Sequence, residues 1–157
     1  MNKEKEDERY MREALRQAEI ALSKGEVPIG AVVVSGGEII ARAYNMTETL
    51  NDPTAHAEMQ VITAATYHMG GKYLDQCTLY VTIEPCTMCA AALYWAHLGK
   101  LVYGAGDLKQ GYRTKSNNIL HPTTQVTKGI FEKECGEIVT LFFKNIRKKR
   151  AIDFDLS

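Results

Sequence analysis

Two short stretches constrain this chain more than any other feature, because they make chemical sense only together. The first is Thr54-Ala55-His56-Ala57-Glu58, and the second is Glu84-Pro85-Cys86-Thr87-Met88-Cys89. One histidine and a Cys-x-x-Cys pair supply three nitrogen and sulfur ligands, one short of the four that close a structural zinc site. A tetrahedral zinc with three protein ligands keeps one position open, where a catalytic water sits. Glu58, two residues past His56, is the candidate to move the protons of that water. A workable fold has to bring residue 56 to residues 86 and 89.

The rest of the chain supplies elements that can do this. Asp7 to Leu22 reads as an amphipathic helix ended by Ser23-Lys24-Gly25. Ala31-Val32-Val33-Val34 and Ile39 to Tyr44 form a hairpin around the turn Ser35-Gly36-Gly37-Glu38, with Asn45 at the end of the second strand. After a polar loop to Pro53, Thr54 is expected to cap a helix that carries His56 in its first turn and runs to about Thr66. Thr78 to Ile83 is a strand. A helix is expected from Pro85 or Cys86 to about His97, since proline is favoured at the first helical position. Leu101 to Ala105 is a strand, Gly106 to Pro122 a long irregular stretch, Thr124 to Thr127 a short strand, and Gly129 to about Lys149 a helix. Such alternation indicates an α/β layered domain, with helices covering a mixed sheet.

Both short stretches fall at helix starts. Cys86 and Cys89, three residues apart, share one helical face and can hold one ion. Helix N-termini carry partial positive charge, which favours thiolates. Cys-x-x-Cys also occurs in redox sites and half zinc fingers, and a lone histidine in a helix is usually no ligand. The two stretches in combination carry the argument. Cys77 and Cys135 read as small buried hydrophobes.

Lys plus Arg and Asp plus Glu balance at 19 each, so the chain as a whole is no electrostatic nucleic-acid binder. A local patch remains: Lys144, Arg147, Lys148, Lys149 and Arg150 crowd the end of the last helix. Without a ligand in view, this is a solvated helix end whose cations complement the dipole. The charged N-terminus shows no signal peptide and no apolar run reaches the length of a membrane span, so a cytoplasmic protein with reduced thiols is expected.

His-x-Glu followed by Pro-Cys-x-x-Cys resembles the zinc-dependent cytidine/adenosine deaminase superfamily. The longer strings GEVPIGAVVV, DPTAHAEM, CTLYVTIEPCTMCAAAL, VYGAGD and FFKNIR are similar to the bacterial deaminases that convert the wobble adenosine of tRNA to inosine. The resemblance runs from about Tyr10 to Arg150. It implies one deaminase domain over residues 1–157, with a three-layer α/β/α cytidine-deaminase-like fold whose mixed, mostly five-stranded sheet is flanked by helices. It implies one zinc per subunit on His56, Cys86 and Cys89, with Glu58 as proton shuttle. Asn45 matches the residue that hydrogen-bonds the purine, with the backbone of Ala57 beside the base. Asp107, Lys109, Phe143 and Arg147 match positions near a bound tRNA anticodon stem-loop. A homodimer whose substrate site draws on both subunits is also implied. Two departures bear on the grip on substrate and leave the zinc chemistry untouched. Gly106 stands where the family often has a charged residue, and the stretch from Gly111 to Thr124 is shorter and lacks the family's Asn-His-Arg element.

Two other readings compete. One is the same chemistry on a free base or nucleoside, such as guanine or cytosine. The other is a non-catalytic structural zinc protein or partner subunit, against which Glu58 argues.

Overall fold

Side chains of successive strand residues point to opposite faces of a sheet, and in this chain both faces are apolar. The computed structural model describes residues 2–156. Its elements run α1 (Lys3–Ser23), β1 (Gly30–Ser35), β2 (Glu38–Tyr44), α2 (Ala57–Met69), β3 (Cys77–Ile83), α3 (Thr87–Trp95), β4 (Lys100–Ala105), a 3₁₀ turn (Tyr112–Thr114), β5 (Gln125–Lys128) and α4 (Glu132–Leu156). The sheet order is β2-β1-β3-β4-β5. β1 is antiparallel to both β2 and β3, whereas β4 runs parallel to β3 and β5.

The strand alternation sorts the core into two layers. Ala31, Val33, Leu79, Val81, Leu101 and Tyr103 meet Ala57, Val61 and Ala65 of α2 and Ala90 and Leu93 of α3. Their neighbours Val32, Val34, Tyr80 and Val102 face the other way, against Tyr10, Met11 and Ala14 of α1 and Cys135 of α4. The result is the expected α/β/α sandwich. Gly30 lets β1 press onto α1, because a Cβ there would collide with the backbone of Ala14 and Ala18. Asp7, buried against the sheet, accepts a 2.8 Å hydrogen bond from the Tyr80 hydroxyl and pairs with Lys100 at 3.4 Å. No helix among the described residues is long and apolar enough to cross a membrane.

The hairpin turn lies where expected, with Gly36 and Gly37 at φ 58 and 78, a combination that suits a two-residue hairpin. Helix starts differ from the sequence reading. The cap of α2 is His56, not Thr54, and the helix begins at Ala57, because Asp52 captures Thr54 first: the backbone N–H and hydroxyl of Thr54 both donate to its carboxylate at 2.8 Å. α3 begins at Thr87, after both Pro85 and Cys86. The Pro85 carbonyl accepts from Tyr112 at 2.9 Å and Cys86 bridges Gly111, so tertiary pairing keeps 85–86 extended. α4 starts only after Gly129 and Phe131, which have φ of 90 and 52, and continues past Lys149 to Leu156.

Candidate active site

The carboxyl end of β3 leads directly into α3, and α2 packs on the same face of the sheet. In open α/β sheets this is where ligands bind. His56 and Cys86 occupy the N-cap positions of α2 and α3, with extended backbone (φ/ψ −68/154 and −71/173), and neither side chain caps its helix. Ser, Thr, Asp or Asn is the stable choice at such a position, worth ~1 kcal/mol over a non-capping residue. Two successive helices forgo that stabilisation and aim their N-cap side chains at one point instead. Cys89, in the first turn of α3, completes the group.

The ligand atoms of His56, Cys86 and Cys89 all lie within 4.8 Å of one another. His56 Nδ1 is 3.6 Å from Cys86 Sγ and 3.5 Å from Cys89 Sγ. With zinc–sulfur near 2.3 Å and zinc–nitrogen near 2.0 Å, a tetrahedron has an N···S edge of about 3.6 Å. The donor set therefore fits a tetrahedral ion in size as well as in chemistry.

Charge within the group is shared unequally. Cys86 is pulled down to about 4, chiefly by the hydrogen bond from Cys89 and also by His56. Cys89 is pushed up because its proton serves Cys86 and because it is buried. The hydrogen bond to Cys86 raises His56. A dication among these groups displaces the protons that remain, which couples metal affinity to pH. Glu58, in the first turn of α2, is only 4% exposed, and burial pushes its carboxyl up to about 7. A general acid–base works best at such a value. Cys77 and Cys135 are buried and their thiols raised by burial, as inert cysteines should be.

A cavity of about 310 Å³ opens onto this group, near the small end of the range for ligand pockets. Asn45, His56, Ala57, Glu58, Cys86, Asp107 and Phe143 line it, so most of the sequence candidates converge on one space. Lys109 and Arg147 are exposed and lie outside the lining. Phe142 is buried at 9% exposure and the adjacent Phe143 is 41% exposed at the mouth, one ring for the core and one for the pocket. Away from the cavity, His97 stacks on Tyr73, and His121 lies tilted against both His97 and Tyr94.

Thr47, Glu84 and Gln110 also line the cavity and escaped the sequence reading. So did Glu26, which is fully buried behind the wall that follows Asn45. Its carboxylate accepts from the Glu48 and Thr49 backbone N–H groups at 3.0 and 2.7 Å and from the Thr49 hydroxyl at 2.6 Å. A helix-ending turn puts it there: Gly25 is left-handed at φ 74, and the Glu26 N–H returns to the Ala21 carbonyl. The signal available in the sequence was a glutamate directly after the helix-stopping glycine and another at a strand end.

The chain matches the family described as MafB19-like deaminase over residues 5–147. It is 47% identical over 150 residues to the tRNA-specific adenosine deaminase of Bacillus subtilis, covering 92% of this chain and 93% of that protein. A solved structure from studies of A-to-I editing by tRNA:A34 deaminases at the wobble position superposes with a TM-score of 0.76 at 44% identity, over 83% of this chain and 98% of that one. The structure of guanine deaminase from Bacillus subtilis is similar at a TM-score of 0.62 and 37% identity, over 74% of this chain and 71% of the other.

Proposed function

The chain belongs to the MafB19-like deaminase family, and on that premise we propose that it hydrolytically deaminates the wobble adenosine of a tRNA anticodon loop, giving inosine and ammonia. The observation that carries this reading is the convergence of the three-ligand group, a buried Glu58 poised near neutrality and Asn45 on one cavity.

His56, Cys86 and Cys89 would hold a zinc ion. Bound there, zinc supplies a hydrolytic water that is acidic enough to lose a proton at neutral pH. Glu58 would move two protons in turn: one from the water to the purine ring nitrogen, where inosine keeps it, and the second from the hydroxyl added at C6 to the amine, which leaves as ammonia. Burial, which raises the Glu58 carboxyl above an ordinary glutamate, suits it to accept and release a proton in turn. Asn45 presents an amide donor and acceptor to the edge of the base, and Ala57 leaves its backbone close beside it. Phe143 offers a half-exposed ring for stacking. Asp107 lies on the cavity wall, while Lys109 and Arg147 stand outside it, in reach of a backbone that extends beyond one nucleotide. The exposed basic stretch from Lys144 to Arg150 supports a polyanionic substrate.

We further propose that residues 1–157 act as one domain, that the protein is cytoplasmic, and that it works as a homodimer. Exposed Leu50, Tyr67 and Trp95, on or beside α2 and α3, support the last point. The second reading, deamination of a free base, is favoured by the likeness to guanine deaminase.

One assay separates the two. Purified protein is offered an anticodon stem-loop with adenosine at the wobble position, and separately free adenosine, cytosine and guanine. Inosine in the stem-loop with no turnover of the free compounds is expected. Deamination of guanine with none of the stem-loop overturns the tRNA reading.

A further inference from the structure

One carboxylate in the cavity wall has no part in the chemistry described so far. Glu84 follows the last residue of β3 and precedes Cys86 by two, and it is only 7% exposed. Both of its oxygens accept from backbone. Oε1 takes the N–H of Asp107 at 3.4 Å and Oε2 the N–H of Arg113 at 3.1 Å. The loop between these two residues carries Asp107 and Gln110 into the cavity lining. Asp107 in turn folds the loop on itself, its carboxylate accepting the N–H groups of Lys109 and Gln110 at 2.9 and 3.0 Å.

The backbone around Glu84 is knit to the same loop. The Glu84 N–H donates to the Ala105 carbonyl at 2.8 Å, the Tyr112 N–H donates to the Pro85 carbonyl at 2.9 Å, and Gly111 forms a bridge with Cys86. Gly111 lies so close to the Glu84 carboxylate that a Cβ would overlap Oε2. One buried side chain thus joins the strand end that leads to a metal ligand to both ends of the loop that carries Asp107 and Gln110 into the cavity lining.

We propose that Glu84 is a positioning residue for substrate selection: its carboxylate clamps the 106–113 loop, and with it Asp107 and Gln110, at a set distance from the metal-ligand segment. This rests on the deaminase reading above and adds to it a named determinant of which nucleotide context the cavity admits. A carboxylate suits the task because it presents acceptors on both sides and no donor. An amide in its place keeps one acceptor and turns a donor toward an N–H.

The test compares the wild-type protein with Glu84→Gln and Gly111→Ala. Glu84→Gln removes one arm of the clamp. Gly111→Ala keeps the carboxylate and pushes the loop away, so it decides the matter if the first variant folds poorly. For each, the metal content, the exchange rates of the Asp107 and Arg113 amides, and KM and kcat on the anticodon stem-loop are measured. Loss of one charge-assisted hydrogen bond predicts a KM raised about tenfold, with kcat within about threefold of wild type, metal content unchanged and both amides exchanging faster. A merely structural role would lower activity in step with the amount of folded, metal-loaded protein and leave KM alone. That result overturns the proposal, as does an unchanged KM in both variants. Should the wild-type protein act on free guanine and not on the stem-loop, the tRNA reading falls, and the same comparison of KM values on guanine then decides the role of Glu84.

Discussion

Glu26 offers a quantitative test of how the wall after Asn45 is held. Its carboxylate is fully buried and accepts three hydrogen bonds, two from backbone N–H groups and one from a hydroxyl. Glu26→Gln keeps the shape, retains one acceptor oxygen and points an amide donor at a group that is itself a donor. Hydrogen bonds to a charged acceptor contribute ~1.5–3 kcal/mol each. The 47–49 turn is partly exposed, so water replaces some of that stabilisation, and we expect a destabilisation of about 2–3 kcal/mol. For a chain of this size, that lowers the melting temperature by about 4–12 °C. The pH dependence gives a second reading. Burial acts to raise the Glu26 carboxyl, but the Thr49 hydroxyl and the two backbone donors outweigh it and hold the carboxyl below its ordinary 4.5. A group with a depressed folded value contributes its stability above the unfolded value and loses it as pH falls through the folded one. The gap between wild type and Glu26→Gln should therefore be widest at neutral pH, begin to narrow as pH falls below the ordinary carboxyl value, and close only below the depressed folded one. Thermal melts of both proteins across pH 3–8 measure it, and any loss of metal at low pH is common to both. A gap below ~1 kcal/mol at neutral pH, or one that persists undiminished in acid, refutes the reasoning.

Further outcomes follow from the site. Glu58→Gln should retain metal, measured by elemental analysis, while kcat falls by about 10²–10⁴-fold; a near-normal rate would remove Glu58 from proton transfer. Cys89→Ser should lose most of its metal under conditions where the wild type keeps it, because a hydroxyl does not ionise as a thiolate does. Neutralising Arg147, Lys148 and Lys149 together should weaken stem-loop binding and flatten its log–log salt dependence by about 0.7 for each phosphate no longer neutralised. Phe143→Ala should raise KM by ~5–150-fold if its ring stacks on a base worth ~1–3 kcal/mol, with no change in metal content.

The candidate centre was largely legible in one dimension because its chemistry is local. A Cys-x-x-Cys pair holds an ion by its own spacing, and His56 and Glu58 are two residues apart. The layers were legible for a similar reason: the unbroken apolar runs Ala31 to Val34 in β1 and Leu79 to Val81 in β3 mark strands covered on both faces. The starts of α2 and α3 were misplaced by one or two residues, where another segment competed for the same backbone. Asp52 drew Thr54 out of α2, and residues 111–112 held Pro85 and Cys86 extended.

Reaction class and the order of elements follow from the chain alone, since ligand type, spacing and strand alternation are short-range properties that survive any packing. It took the packed fold to stand His56 and Cys86 both at N-caps with their side chains free, and to set their ligand atoms a tetrahedral edge apart. Packing also gave Glu26 and Glu84 their work. A carboxylate in the chain is an ordinary surface residue until the fold removes its water and replaces it with backbone N–H groups from 22 to 29 residues away. Those partners are fixed by how loops cross the sheet, and no local pattern in the chain encodes that crossing.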